Sequence, residues 1–297
     1  MLELINRRKK SSSEEALFSI LIPSWNNLKY LKLCVESIIK NSTFKHQIII
    51  ILNEATDGSL EWVEAQEDLD FVHAQKNIGI CYGLNSTRSL IATQYVLYAN
   101  DDMYFLPKWD QYLKQEVDAI GHASFMLSAT MIEPYDSGNP SVIISDFGTE
   151  LESFEEGKLL KEFSELEKSD WSGSTWPPNL MHIDLWDLVG GMSIEFHPGM
   201  YSDPDLSKKC YDAGVRYFKG VGKSRVYHFG SKSTGRVKKN SGSHTFLLKW
   251  GLSSRVFTEK VLNRGVSFQL LPEKSDYLTS SGFSQKLKSL LSVLRRK

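Results

Sequence analysis

The chain is poor in the features that would settle its class at once. Its 297 residues include only three cysteines, Cys34, Cys81 and Cys210, with no CxxC pair. That spacing suggests neither a disulfide framework nor a zinc site, and a reducing cytosol is the simplest setting. The formal net charge is −1, so no general excess of positive charge invites nucleic acid. No apolar run approaches the roughly 18 residues of a membrane span. The basic start, MLELINRRKK, has no apolar stretch behind it and does not read as a secretory signal. Internal repeats and low-complexity linkers are also missing. The expectation is one soluble domain with two functional halves, long enough to bury a sizeable core.

What is present is alternation. LFSILI (17–22), QIIIIL (47–52), DFVHA (70–74) and YVLYA (95–99) read as buried strands, the first stopped by Pro23. Between them lie amphipathic stretches. Leu28, Leu31, Val35, Ile38 and Ile39 recur at helical spacing behind Asn26 and Asn27 as caps, SLEWVEAQ is a short helix, and another runs from about Cys81 to Ala92. Apolar strands alternating with helices signal βαβ units and an α/β, mostly parallel, Rossmann-like sheet flanked by helices. Ligands of such sheets bind beyond the carboxyl ends of the strands. YANDDMY (98–104) sits at one of those ends.

The second half is less regular. FMLSATMI (125–132) and SVIIS (141–145) read as strands, and 150–170 as an acidic surface excursion with a helix. WSGSTWPPN (171–179) suits a loop, and DPDLSKKCYDAG (203–214) a helix with Pro204 at its first position. Residues 217–221 and 225–227 read as two short strands leading to His228. The tail SQKLKSLLSVLRRK has an apolar stripe beside basic residues. A helix lying on an anionic membrane surface and a terminal helix packing on its own domain explain it equally well. The divisions expected are a basic tail over 1–16, a domain over 17–255 with halves 17–104 and 105–255, and an extension over 256–297 ending in the basic amphipathic helix.

The adjacent aspartates Asp101 and Asp102 suit a hard divalent cation, one carboxylate anchoring a metal that a substrate phosphate helps to coordinate. A turn cap is the plainer alternative. Other polar motifs fall at the ends of the other strands: PSWNN, NEATDG and KNIGICYGLN. ILIPSWNN, ILNEATDGSLEWV, NIGICYGLN and YVLYANDDMYFLPKWD, followed by WDLVGGMSIEFHPGMYSDPDLSKKCYDAG, VYHFGSKSTGR and FLLKWG, resemble family 2 glycosyltransferases in order and spacing. The resemblance spans roughly residues 18–251.

The resemblance implies a single GT-A type domain, with 17–104 binding the nucleotide-sugar and 105–255 the acceptor. Pro23, Ser24, Trp25 and Asn26 would line the nucleoside pocket, Trp25 replacing the family's usual tyrosine. Asp57 would lie near the base, and Asn53 stands where many members carry an acid. Asn77, Gly79 and Asn85 match the segment that closes over the donor. Asp101 would bond the donor's hydroxyls and Asp102 would hold Mn²⁺ or Mg²⁺, with Asn100 where relatives often have another acid. In SDPD, Ser202 replaces a glutamate of the family's base pair. Asp203 remains as the expected base, with Asp205 second, although Asp203 also suits a helix N-cap. His228 matches a late histidine that binds metal or diphosphate, and Lys232 and Arg236 would face the leaving group. Trp171 and Trp176 suit stacking on acceptor sugar or packing on the domain, and Trp250 suits closing the donor pocket or the core.

These residues imply a metal-dependent inverting transferase that uses a nucleoside-diphosphate sugar, a UDP sugar foremost. The acceptor would be a glycan or lipid-linked hydroxyl in cell-surface polysaccharide synthesis. The setting would be the cytoplasm, the tail offering peripheral contact with the inner face of the membrane. A non-catalytic glycan-binding protein on the same fold would cite Asn53 and Ser202. A sugar nucleotidyltransferase would want a glycine-rich basic loop that PSWNNLKY lacks.

Overall fold

The computed structural model describes residues 5–8, 15–230 and 240–273. One mixed sheet carries the domain. Its first half is an unexpected edge strand, β1 (Ile5–Arg8), and then the expected βαβ series: β2 (Ser19–Trp25), α1 (Leu28–Asn41), β3 (Gln47–Asn53), α2 (Ser59–Ala65), β4 (Leu69–Ala74), α3 (Gly79–Ser86) and β5 (Tyr95–Tyr98). The strands β4, β3, β2 and β5 lie side by side and parallel. Every residue of β3 and β4 is buried, as continuous apolar strands covered on both faces require.

The second half contributes β6 (Met103–Phe105), α4 (Trp109–Ile120), β7 (Phe125–Glu133), β8 (Ile143–Ile144), α5 (Glu156–Glu162), β9 (Trp171–Ser172), β10 (Asn179–His182), α6 (Ile183–Val189), α7 (Ser202–Asp212), β11 (Tyr217–His228) and α8 (Gly242–Trp250). The sheet order is β1-β4-β3-β2-β5-β10-β7-β11-β6, with β8 beside β7 and β9 beside β11. Antiparallel β10 joins the parallel half at β5 to the pair β7 and β11, which are parallel to each other.

Several local expectations are corrected. Pro23 does not stop β2, which pairs with β3 through Trp25. The Leu21 carbonyl accepts from the Ala99 N–H, so the Pro23 nitrogen two residues on faces the same side, where pairing with β5 has ended. A missing N–H costs nothing there. Asn26 and Asn27 do not cap α1; the Asp57 carboxylate reaches across from the next loop and accepts from the Leu28 N–H at 2.7 Å. α3 ends at Ser86 rather than near Ala92, and the Ser86 and Thr87 hydroxyls bond back to the Gly83 and Leu84 carbonyls. Residues 1–16 are not wholly a tail, because β1 pairs antiparallel with β4.

The acidic excursion is anchored too. Leu159 is buried and Phe154 packs with Tyr104, Tyr227 and Phe229 in a cluster of its own. Trp171 is buried, its ring against Gly220 and its Nε1 donating to Thr130 Oγ1 at 2.8 Å. Past residue 255, Phe257, Val261 and Leu262 are buried in the same core as β2 and β3. Each such side chain contributes about 1.5–3 kcal/mol over leaving it in water, so this stretch is part of the packed domain. The expected amphipathic helix in the tail, with Lys232 and Arg236, lies outside the described residues.

Candidate active site

A cleft of about 630 Å³ opens over the carboxyl ends of β2, β3 and β5. Its lining brings together residues far apart in the chain. From the first half come Pro23, Ser24, Trp25, Asn53, Asn77 and Gly79, and then Asn100, Asp101 and Asp102; from the second come Asp203 and His228. With Trp176, twelve of the residues singled out in the sequence therefore share one surface.

Trp25 ends β2, and its Nε1 donates to Glu54 Oε2 at 2.7 Å, which fixes the ring at the cleft wall. Asn53 ends β3 and its Oδ1 accepts from the Ile78 N–H at 3.0 Å, tying the strand to the loop that opens α3. Asn77 accepts from the Gly79 N–H at 2.8 Å. Gly79 has φ +69°, and a Cβ there would lie 2.6 Å from the Pro198 carbonyl oxygen. The loop at 197–199 crosses α3 at this point, held by the Ile80 N–H to Pro198 O bond of 2.8 Å. Only glycine permits that approach.

Register assembles the centre. β11 pairs with β6 so that His228 lies opposite Met103, next to Asp102, and the Phe229 N–H donates to the Asp102 carbonyl. On its other side β11 runs parallel to β7, Tyr227 opposite Ile132, which brings Glu133 beside His228. That alignment depends on an irregularity between Val221 and Arg225, where residues 222–224 have no counterpart in β7. The two short strands expected here are thus one strand with a bulge. Without it His228 would face away from Glu133.

The resulting triad is buried. His228 Nδ1 donates to Glu133 Oε1 at 2.9 Å, and Nε2 lies 3.4 Å from Asp102 Oδ1. Burial alone would lower the imidazole, but the carboxylates of Asp102 and Glu133 push it up to about 10. Burial likewise opposes ionisation of Glu133, yet the bonds from His228 and from Ser137 hold it below the usual carboxylate range. Glu133 lines the cleft and was missed in the sequence; its only signal was an acid closing the strand FMLSATMI.

Among the described residues no group of three or more His, Cys, Asp or Glu forms a ready metal cluster. A two-ligand site with substrate oxygens is a different demand, and the residues fit it. His228 Nε2 faces Asp102 Oδ1 at 3.4 Å, and a cation between them would take the place of the Nε2 proton. Two neighbouring ligands at about 2.1 Å from an octahedral cation stand roughly 3 Å apart, close to the spacing seen. Glu133 on Nδ1 would orient the ring and set its tautomer.

Across the cleft, Asp203 lies in the first turn of α7, but the N-cap position is Tyr201, and no side chain caps the helix. The capping alternative therefore falls. Asp203 Oδ1 is closed off from solvent without a hydrogen-bond partner, and burial pushes the carboxyl up to about 7. Asp205 differs. It is fully buried away from the cleft lining, and its Oδ1 accepts from Trp250 Nε1 at 2.8 Å and faces Lys249 at 2.9 Å. Trp250 thus anchors α8 to α7. Asn26, Asp57 and Asn85 also stand off the lining: Asn26 Oδ1 accepts from the Thr56 N–H, Asp57 caps α1, and Asn85 bonds both the N–H and the carbonyl of Met192. Arg236 lies outside the described residues.

Comparison with known proteins agrees with this arrangement. Residues 19–164 match glycosyl transferase family 2. No curated protein sequence matches the chain. Among solved structures, S. aureus TarS 1–349 in complex with UDP-GlcNAc is similar at a TM-score of 0.57 and 14% identity, over 94% of this chain and 73% of that one. GalNAc-T7 with UDP, GalNAc and Mn²⁺ gives 0.57 and 13%, over 94% and 55%. The mannosyltransferase PcManGT from Pyrobaculum calidifontis, with GDP-Man and Mn²⁺, gives 0.52 and 11%, over 97% and 76%. At such identities the structural likeness speaks for the fold. The family match thus takes in residues 19–164, just under half of the chain, and the single mixed α/β domain built around them has the fold of the GT-A glycosyltransferases.

Proposed function

We propose that the protein is a divalent-metal-dependent, inverting glycosyltransferase that takes its sugar from a UDP donor and passes it to a hydroxyl of a glycan or lipid-linked acceptor. The observation that carries this reading is the pairing, in one cleft, of a buried Asp102–His228 edge with an unpartnered Asp203 carboxyl whose affinity for protons suits a base at neutral pH. TarS and GalNAc-T7 with bound uridine nucleotides support the choice of UDP, and Mn²⁺ in GalNAc-T7 and PcManGT supports the metal. Asn53 has both an amide donor and a carbonyl acceptor with which to address a pyrimidine.

In the proposed reaction Asp203 accepts the proton of the acceptor hydroxyl as that oxygen bonds to the anomeric carbon. On the opposite face the carbon–oxygen bond to the diphosphate breaks, and its electron pair leaves with the diphosphate. Asp102 and His228 would hold the cation, which supplies positive charge against the leaving group. Trp25 stacks on the base, and Asp101 accepts from donor hydroxyls. Peripheral contact with the cytoplasmic face of the membrane rests on the tail sequence; among the described residues no helix is long and apolar enough to cross a membrane.

A hydrolysis screen over UDP- and GDP-sugars, with and without Mn²⁺, tests this reading. We expect Mn²⁺-dependent release of UDP that Asp102→Ala abolishes while its circular dichroism stays that of the wild type. Metal-independent turnover, or full activity in that variant, would refute the metal assignment. Retention of the donor's anomeric configuration in the product would refute inversion.

A further inference from the structure

The cleft has a wall that the reaction above leaves unused. Trp176, Arg255, Glu259 and Arg264 all line it. The Arg264 guanidinium lies over the Trp176 ring, 4.8 Å from its centroid. Its side chain is only 16% exposed, and its Nε is closed off from solvent with no hydrogen-bond partner. Nearby, Glu259 is shared: Arg255 Nε lies 3.1 Å from both of its oxygens, and Arg264 Nη2 lies 3.6 Å from Oε1. Two guanidiniums meet one carboxylate, and the more buried of the two has the poorer share of it.

The position is built rather than incidental. The Arg264 N–H donates to Thr258 O, and the Gly265 N–H to Ser172 O. Gly173, at φ +92°, lets the backbone of Arg264 come so close that a Cβ would lie 2.6 Å from its Cα. Held over the indole, the guanidinium carries a planar fork of donors, the geometry that matches carboxylate and phosphate oxygens.

We propose that Arg264, laid on Trp176 and flanked by Arg255, forms an acceptor subsite that takes an anionic glycan through a carboxylate or phosphate group. This rests on the proposed function, because sheet order decides which substrate reaches this wall. Nucleoside recognition belongs to Trp25 and Asn53, at the ends of β2 and β3, and the paired aspartates follow β5. Trp176 leads into β10, which pairs with β5 on the side away from β2. The wall therefore stands beyond the aspartates from the nucleoside residues, where the acceptor enters. A neutral glycan would leave two guanidiniums sharing the single Glu259 carboxylate, whereas an anion balances the second.

Calorimetric titration of the full chain with three short glycans, alike except for a terminal glucuronic acid, glucose 6-phosphate or glucose, tests the subsite without requiring turnover. At least one of the two anionic glycans is expected to bind roughly tenfold or more tightly than the neutral one, the scale of one charge-assisted hydrogen-bonded pair. Which of the two binds tells carboxylate from phosphate. Arg264→Gln should abolish the preference, and Arg255→Gln, a substitution at an exposed side chain, should reduce it even if the first variant folds poorly. Equal binding of all three glycans by the wild type, or a preference that survives both substitutions, would overturn the inference. So would loss of UDP-sugar binding in an Arg264→Gln protein with the circular dichroism of the wild type, which would put the arginine on the donor. A wild type that binds no nucleotide-sugar would sink the proposed function while leaving the glycan result standing.

Discussion

Replacing Asp203 by asparagine removes a carboxylate and leaves nearly the same shape. Burial pushes the carboxyl up to about 7, so it is mostly protonated at pH 6 and mostly ionised at pH 8. Because a base must be ionised to accept the acceptor's proton, transfer by the wild type should fall about tenfold per unit once the pH drops below 7. Asp203→Asn should lose transfer by about 10²- to 10⁴-fold at pH 8, the usual contribution of a positioned base, with donor affinity unchanged. Stability moves the other way. A folded-state value raised above the ordinary 3.8 means that the folded protein holds its proton more tightly than the unfolded chain. The stability this group contributes is present below about pH 4 and is lost as the pH rises to 7, at about 1.4 kcal/mol per unit and up to about 4 kcal/mol in all. The substituted amide has no charge to bury, so the variant should be at least as resistant to urea as the wild type at pH 8. Initial-rate profiles from pH 5.5 to 8.5, donor titration and urea melts supply the assays. A flat profile across that range, or transfer within tenfold of wild type in the variant, would refute the assignment.

Two further outcomes follow from the geometry. Glu133→Gln keeps the volume but removes the anion that holds His228 Nδ1, so Mn²⁺ affinity read from activation curves should fall about 10- to 100-fold, the range seen when groups orienting metal ligands are removed; an unchanged activation curve would make Glu133 a bystander. Gly79→Ala forces a Cβ to 2.6 Å from the Pro198 carbonyl oxygen at a positive φ, and should cost about 1–3 kcal/mol in urea denaturation with donor affinity weakened as the 197–199 loop shifts. A variant of wild-type stability would show that the loop gives way freely.

The parallel half of the sheet was legible because each of its strands is covered on both faces and so reads as an unbroken apolar run. The polar residues that follow those runs had to meet at one edge, since parallel strands end on one side. Trp25, Asn53, Asn77, Asn100, Asp101 and Asp102, which end or follow those runs, therefore line one cleft. Asp57 and Asn85 show the limit of that logic. They sit in the right loops, yet their side chains turn to a neighbouring helix and to the Met192 backbone. Spacing within a loop says nothing about which way a side chain faces.

What the sequence determined by itself is the order of elements in the parallel half, the edge at which the polar residues collect, and the resemblance to a family. Tertiary structure alone decided the rest. The partnership of Asp102, His228 and Glu133 depends on an irregular register between strands nearly a hundred residues apart. The difference between Asp203 and Asp205, two positions apart on one helix, depends on what packs against each: open cleft for one, Trp250 and Lys249 for the other. The segment past residue 255 looked like an appendage because the motifs that carry the family resemblance end at Gly251. It proved to be a wall of the cleft, since burial is a property of what surrounds a residue, and the residues around this one come from the far end of the chain.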